Sequence, residues 1–255
     1  MSGATFDQVS ALYEADRRLR SVCLTALGQI EIGLRTRATY VLGARDPFGH
    51  LDKSALDARA CDRLERNRRT ALEAWQQRCR KLQHDARNED FIRHVLHKYG
   101  EPLPVWVAVE TFDFGALCKL LALLRGHDLN EIARELGIAH ARLLVDVTRT
   151  LNLIRNICAH HGRLWNRQLV YGLKNYRPEG VGEPLRHVAS GGERKKIYPF
   201  LVWMVYLARQ FDPATPVSRD LVTLLDDLTI ATGRTPEADM GFPVRWRRED
   251  VWRNR

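Results

Sequence analysis

The sequence predicts an all-α protein, on three observations. Apolar residues recur at helical spacing through nearly every segment, glycines close several of those segments, and no alternating apolar–polar run is long enough for a strand. With 255 residues the chain is long enough to bury a substantial core. A single helical domain over 1–255 is expected, with a helical core over about 6–212. A C-terminal helix and a tail rich in Arg and Trp follow over 213–255.

The elements follow in order. From about Phe6 to Leu42, the positions Leu12, Leu19, Cys23, Leu27, Ile30, Leu34 and Val41 form an apolar stripe, with Gly43 as the expected C-cap. Asp46-Pro47-Phe48-Gly49 reads as a turn. Asp57 to about Arg87 is densely charged, with Leu64, Leu72 and Trp75 as its few anchors, and predicts a solvated helix or pair of helices. Glu89 to Tyr99 is a shorter amphipathic helix ending at Gly100. Val105 to Leu124 is the most apolar helix, with a break expected near Gly115, and Asn130 to Leu136 is a short one stopped by Gly137.

Ala141 to His161 carries Leu144, Val147, Leu151, Ile154 and Cys158 at strict 3-4-3-4 spacing, with Gly162 expected to end it. Residues 163–194 read as a long loop in which Gly191-Gly192 is too isolated to be a phosphate loop. Lys195 to Phe211 and Ser218 to Ala231 are closing helices.

The net charge is +9, and all but seven of the 40 basic residues are arginine. Arginine is the better fork for phosphate, so the bias favours a polyanionic partner, although an Arg-rich codon usage would raise the ratio without setting the sign. Cys23, Cys61, Cys79, Cys118 and Cys158 are an odd set with no CxxC pair, which suits reduced thiols and neither a zinc site nor a disulfide scaffold. Without a signal-like N-terminus or a membrane-length apolar run, a cytoplasmic protein with no membrane partner is expected.

The most informative stretch is Arg155-Asn156-Ile157-Cys158-Ala159-His160-His161-Gly162-Arg163-Leu164-Trp165-Asn166-Arg167. It gathers polar and cationic side chains at the end of an apolar helix, where a core has no use for them. Asn156 and His160 are four apart and share a helix face. Arg155 and His160 are five apart, about 140° around the axis. A straight helix does not aim both at one atom. The long Arg side chain swinging back, a backbone released at Gly162, or a two-fold dimer joining two copies would each bring them together.

The helix end favours positive charge at His160 and His161, while Arg155, Arg163 and Arg167 disfavour it. A histidine titrating near neutrality suits general acid–base work, and Arg155 suits charge stabilisation on a phosphoryl group. Together they are a minimum kit for cutting RNA by 2′-OH attack, leaving a 2′,3′-cyclic phosphate. No Asp or Glu lies among residues 155–167 to hold a metal, so no cofactor is expected. A capped helix end with packed histidines is the plain alternative.

Lesser candidates have plainer readings beside them. Glu31 and Arg35 could simply pair, or, with Arg37, could line the same cleft. His94 and His97 have ligand-like spacing but no third ligand nearby, which suits a solvated helix. Trp246 and Trp252, amid Arg245, Arg247, Arg248, Arg253 and Arg255, either stack on bases or pack the tail onto the bundle.

The Arg155–Arg167 stretch resembles the hallmark R-N-x-C-A-H-x-x-R-L-W-N-R of the abortive-infection (Abi) family of bacterial proteins. Phe6-Asp7, Leu12-Tyr13, Asp16-Arg17, Gln29-Ile30-Glu31-Ile32 and Leu34-Arg35-Thr36-Arg37 resemble that family's first helix. Pro104-Val105-Trp106 to Phe114-Gly115 is similar to its central helix. Met240-Gly241-Phe242-Pro243 with Trp246 is similar to its C-terminal signature.

The family is grouped with the HEPN superfamily, whose RX4–6H motif implies a metal-independent endoribonuclease working as a homodimer. The resemblance thus implies a HEPN-type bundle with additional C-terminal helices. It implies Arg155 and His160 as catalytic residues, with Asn156, His161, Arg163, Asn166, Arg167, Glu31, Arg35 and Arg37 supporting. It also implies an RNA substrate, an RNA or protein antitoxin, and a role in phage defence or a toxin–antitoxin system. A non-catalytic RNA-binding sensor using the same basic cleft is the other reading. Relatives usually carry a further N-terminal segment before the Phe-Asp position, so a shortened N-terminus is expected here.

Overall fold

The computed structural model describes residues 3–65, 68–170, 172–173, 177–189 and 193–253. Gly191-Gly192 and Arg255 lie outside the described residues. The helices, in order, are α1 (Phe6–Gly43), α2 (Ala58–Asp62), α3 (Ala71–Asp85), α4 (Asp90–Tyr99), α5 (Val105–Ala108) and α6 (Phe114–Leu123). Then come α7 (Gly126–Glu135), α8 (Ala141–Ala159), α9 (Arg186–Ala189), α10 (Tyr198–Phe211), α11 (Val217–Thr232) and α12 (Pro236–Met240). Among the described residues there is no strand, only two isolated bridges. The all-α expectation holds.

The chain folds into two compact units. The first comprises residues 1–30, 136–139 and 146–255, and the second 31–135 and 140–145. In the first unit the stripe of α1 is buried at Leu19, Cys23, Leu27 and Ile30, and that of α8 at Val147, Leu151, Ile154 and Cys158. Helix α10 is buried on all sides from Tyr198 to Ala208, as its uninterrupted apolar run requires. The tail is core: Tyr198, Phe242, Trp246 and Trp252 form one aromatic cluster with centroids 4.5–6.1 Å apart. Trp246 and Trp252 are therefore not platforms for bases. Arg247 lies over the Trp246 ring and pairs with Asp226.

The second unit is organised around Trp75, which is fully buried and donates from Nε1 to the His50 carbonyl at 2.6 Å. Its ring meets Phe112 edge-on at 5.1 Å. Helix α3 begins with a complete capping box, Thr70 with Glu73. The break in the apolar 105–124 segment falls before Gly115, because the Asp113 carboxylate accepts from the Ala116 N–H at 2.7 Å and starts α6. Helix α7 begins at Gly126, four residues earlier than the apolar pattern predicts. Arg45 donates to the buried Asp128 carboxylate at 2.6 Å. No helix of the described residues is long and apolar enough to cross a membrane.

His50 is fully buried, and neither ring nitrogen has a hydrogen-bond partner among the described residues. Burial pushes its pKa down to about 4. The native ring then stays neutral where the unfolded chain takes up a proton. Stability is complete above the ordinary histidine pKa and falls as pH drops from about 6.5 toward 4, by about 3 kcal/mol. Urea midpoints measured between pH 7 and pH 4.5 should decline accordingly, and His50→Leu should flatten that decline.

Candidate functional site at the end of helix α8

Helix α8 ends one turn after Arg155, and the geometry of that end is specific. The His160 N–H still donates to the Asn156 carbonyl at 3.0 Å, so His160 remains within the helical ladder. The Gly162 N–H then reaches back to the Ile157 carbonyl at 2.8 Å and the His161 N–H to that of Cys158 at 3.1 Å. This pair of bonds is a Schellman motif. Its left-handed residue is His161, at φ 55°, and not Gly162. Gly162 serves a different purpose, close packing: a Cβ there would lie 3.2 Å from both the carbonyl oxygen and a side-chain carbon of Ile157. Histidine and asparagine tolerate positive φ better than most residues, and Asn166 adopts it too, at φ 48°. Holding His161 there costs about 1 kcal/mol, a strain of the kind found at functional sites.

After the helix the chain turns under itself and is pinned by a residue far away in sequence. The buried Asp16 carboxylate of α1 accepts from the Leu164 N–H at 2.9 Å and the Trp165 N–H at 2.6 Å. Its other oxygen takes a hydrogen bond from Arg20, one turn further along α1 and also buried. Leu164 and Trp165 are themselves buried. Cys158 meets Cys23 of α1 through a thiol–thiol hydrogen bond, which together with burial pushes the Cys23 thiol pKa well up. Three motif residues, Cys158, Leu164 and Trp165, are thus anchors against the core.

The remaining motif side chains behave differently. Asn156, His160, His161 and Arg163 are exposed and Arg155 is half-buried. Among the described residues none of these five side chains makes a hydrogen bond or an ion pair. Arg167 donates to the Arg163 carbonyl at 3.1 Å, and Asn166 accepts from Lys196 at 3.1 Å. Lys196, which also donates to the Asp239 carbonyl, brings another cation to this end of the helix.

No hydrogen bond joins Arg155 to His160. Because His160 is still helical, the backbone at Gly162 does not turn it toward Arg155, and the two leave the helix about 140° apart. Of the ways to unite them, release at Gly162 is excluded.

Glu31, Arg35 and Arg37 belong to the second unit. Arg35 pairs with Glu31 at 2.6 Å and also donates to the Phe112 carbonyl, while Arg37 pairs with Glu135 at 2.9 Å. Their charges are matched locally. His94 and His97 are exposed on α4, and among the described residues no group of three or more His, Cys, Asp or Glu could hold a metal ion. Asp16 and Arg20 are the site residues that sequence reasoning missed. The available signal was a carboxylate and a guanidinium four apart beside the apolar stripe of α1.

The fold and site define an all-helical protein that displays an unpaired cationic helix end, held by a buried carboxylate. A family model described as Abi-like protein matches residues 1–166, and the chain belongs to that family. The match includes Asp16, Cys23 and the motif through Asn166, while the helices from α9 onward lie beyond it. Membership suggests a role in abortive infection, a form of phage defence. No curated protein and no solved structure matches the chain.

Asp16→Ala leaves Arg20 buried without its partner and removes the acceptor of two buried N–H groups. A loss of about 3–5 kcal/mol in urea unfolding is expected. Amide exchange at Leu164 and Trp165 should accelerate in conditions where the variant is still folded.

Proposed function

We propose that the protein is a metal-independent endoribonuclease of the HEPN type, acting in an abortive-infection or toxin–antitoxin system. The observation that carries this reading is the division of the motif. Its apolar residues are anchored, whereas Arg155, Asn156, His160, His161 and Arg163 are held at a helix end with no partner of their own. Water satisfies these exposed side chains, and the fold draws no hydrogen bond or ion pair from them, so the group is left available to a ligand. Here unpaired cations are grouped with imidazoles and no carboxylate intervenes within the motif.

In the proposed reaction His160 takes the proton from a ribose 2′-OH as that oxygen attacks the adjacent phosphorus. Arg155 stabilises the charge gathering on the phosphoryl oxygens. The bond from phosphorus to the 5′-oxygen breaks, and the departing oxygen takes up a proton, for which His161 is the next residue along. The products are a 2′,3′-cyclic phosphate and a 5′-hydroxyl. Asn156, one turn before His160, orients the substrate or the imidazole. Arg163 and Arg167 add to the field that draws RNA in.

The divergence of Arg155 and His160 favours a composite site in a homodimer, with Arg155 of one copy facing His160 of the other. An RNA or protein antitoxin would then act by covering this end of α8.

Purified protein should cut RNA in the presence of EDTA and leave cyclic-phosphate ends. Arg155→Ala and His160→Ala should each abolish cutting, a loss of at least about a hundredfold, with unfolding midpoints near wild type because neither side chain has an internal partner. Tight RNA binding without cutting across pH 5–8 would instead mark a sensor, and undiminished cutting by the double variant would refute the assignment.

A further inference from the structure

The face of α8 that leads to His160 borders a cavity of about 500 Å³ within the first unit. This size falls in the range of about 300–1,000 Å³ typical of small-molecule sites. Asp146, Arg149, Asn152, Leu153 and Asn156 line it from the helix, and Gly172 and Leu173 from the segment that follows it. Arg149, Asn152, Asn156 and His160 follow one another at spacings of three, four and four. They therefore lie on one stripe, within about 80° around the axis and about 16 Å along it.

The lining is chemically distinctive. Two carboxamides, each both donor and acceptor, stand one turn apart beside a guanidinium and the Asp146 carboxylate, with Leu153 and Leu173 supplying apolar surface. Among the described residues the side chains of Arg149, Asn152 and Asn156 make no hydrogen bond or ion pair. Thr150 offers less, because its hydroxyl already donates to the Asp146 carbonyl at 3.0 Å. The wall at Gly172 is bare backbone. A Cβ there would lie 3.0 Å from the Arg194 carbonyl oxygen, so a side chain would crowd this wall.

Carboxamides read the donor–acceptor edge of a purine, and a guanidinium either pairs with guanine or stacks on a base. Apolar walls suit a flat ring between such groups. We propose that this cavity is a purine pocket: it holds the base of the nucleotide beside the phosphate presented to His160, and thereby sets where RNA is cut. Asn156 is one turn, about 6 Å along the axis, from His160, so a base seated against Asn152 and Asn156 directs its own sugar and phosphate toward the imidazole. The inference rests on the endoribonuclease reading for its role in cutting. Its purine-binding half stands apart from that reading.

Two measurements test it, both on the full chain. The first sequences the ends produced by wild type and by Asn152→Ala. Wild-type cuts should be enriched in purines at one position beside the break. Asn152→Ala should lose that enrichment and cut the preferred sites about tenfold or more slowly.

The second titrates adenosine, guanosine, cytidine and uridine 3′-monophosphates into wild type, His160→Ala, Asn152→Ala and Leu153→Phe, followed by calorimetry. The two purine nucleotides should bind wild type and His160→Ala better than the pyrimidines. Asn152→Ala should lose this preference, and Leu153→Phe, which narrows the cavity, should weaken purine binding about tenfold or more. Equal binding of all four nucleotides to wild type, or purine binding unaltered in both pocket variants, overturns the proposal. If RNA is cut while these outcomes hold, the nuclease stands and the pocket falls. If RNA is never cut but purine binding depends on Asn152, the pocket stands and the nuclease falls.

Discussion

A single buried carboxylate holds the candidate site to the fold. Asp16 accepts hydrogen bonds from two consecutive backbone N–H groups, those of Leu164 and Trp165, and from the buried Arg20. Paired and hydrogen-bonded in this way, a charge can be buried without a large net penalty. The same contacts fix the backbone just beyond the helix. With Leu164 and Trp165 seated in the core, the chain from His160 to Arg163 spans two fixed points, the end of α8 and the Asp16 clamp. The exposed cations and imidazoles are therefore displayed from an ordered scaffold, as a preorganised site requires.

A second constraint is angular. The helical ladder persists through His160, and only at His161 does the backbone turn left-handed. His160 thus shares its face with Asn156, while Arg155 projects about 140° away. One copy of the chain presents a base and a charge stabiliser in different directions. That property gives the proposed composite site its rationale. It also explains why His160, rather than Arg155, shares a stripe with the cavity residues Arg149, Asn152 and Asn156.

Much of this was legible in the sequence, and the failures have physical causes. The 3-4-3-4 spacing of Leu144 to Cys158 located α8, and the expected closing helix over Lys195 to Phe211 is α10, which the structure buries from Tyr198 to Ala208. The helix end was misplaced because glycine is the usual left-handed residue. Here His161 takes that conformation, and Gly162 serves close packing against Ile157. The break expected near Gly115 in the central apolar segment is present, and Asp113 makes it by capping the start of α6. What Asp16 holds was out of reach for another reason, although its pairing with Arg20 was not. Its backbone partners lie 148 and 149 residues away, and no local pattern reports which backbone groups a distant carboxylate will satisfy. The pairings of Arg35 and Arg37 include the same kind of long-range contact, with Phe112 and Glu135.

The most direct test mixes two chains, each inactive alone: Arg155→Ala and His160→Ala, under conditions that let protomers exchange. In a composite site the mixed dimer retains one intact pair, Arg155 from one chain and His160 from the other. Random reassortment should restore RNA cleavage in EDTA to about a quarter of the wild-type rate. Mixed dimers that form and still fail to cut would contradict the account.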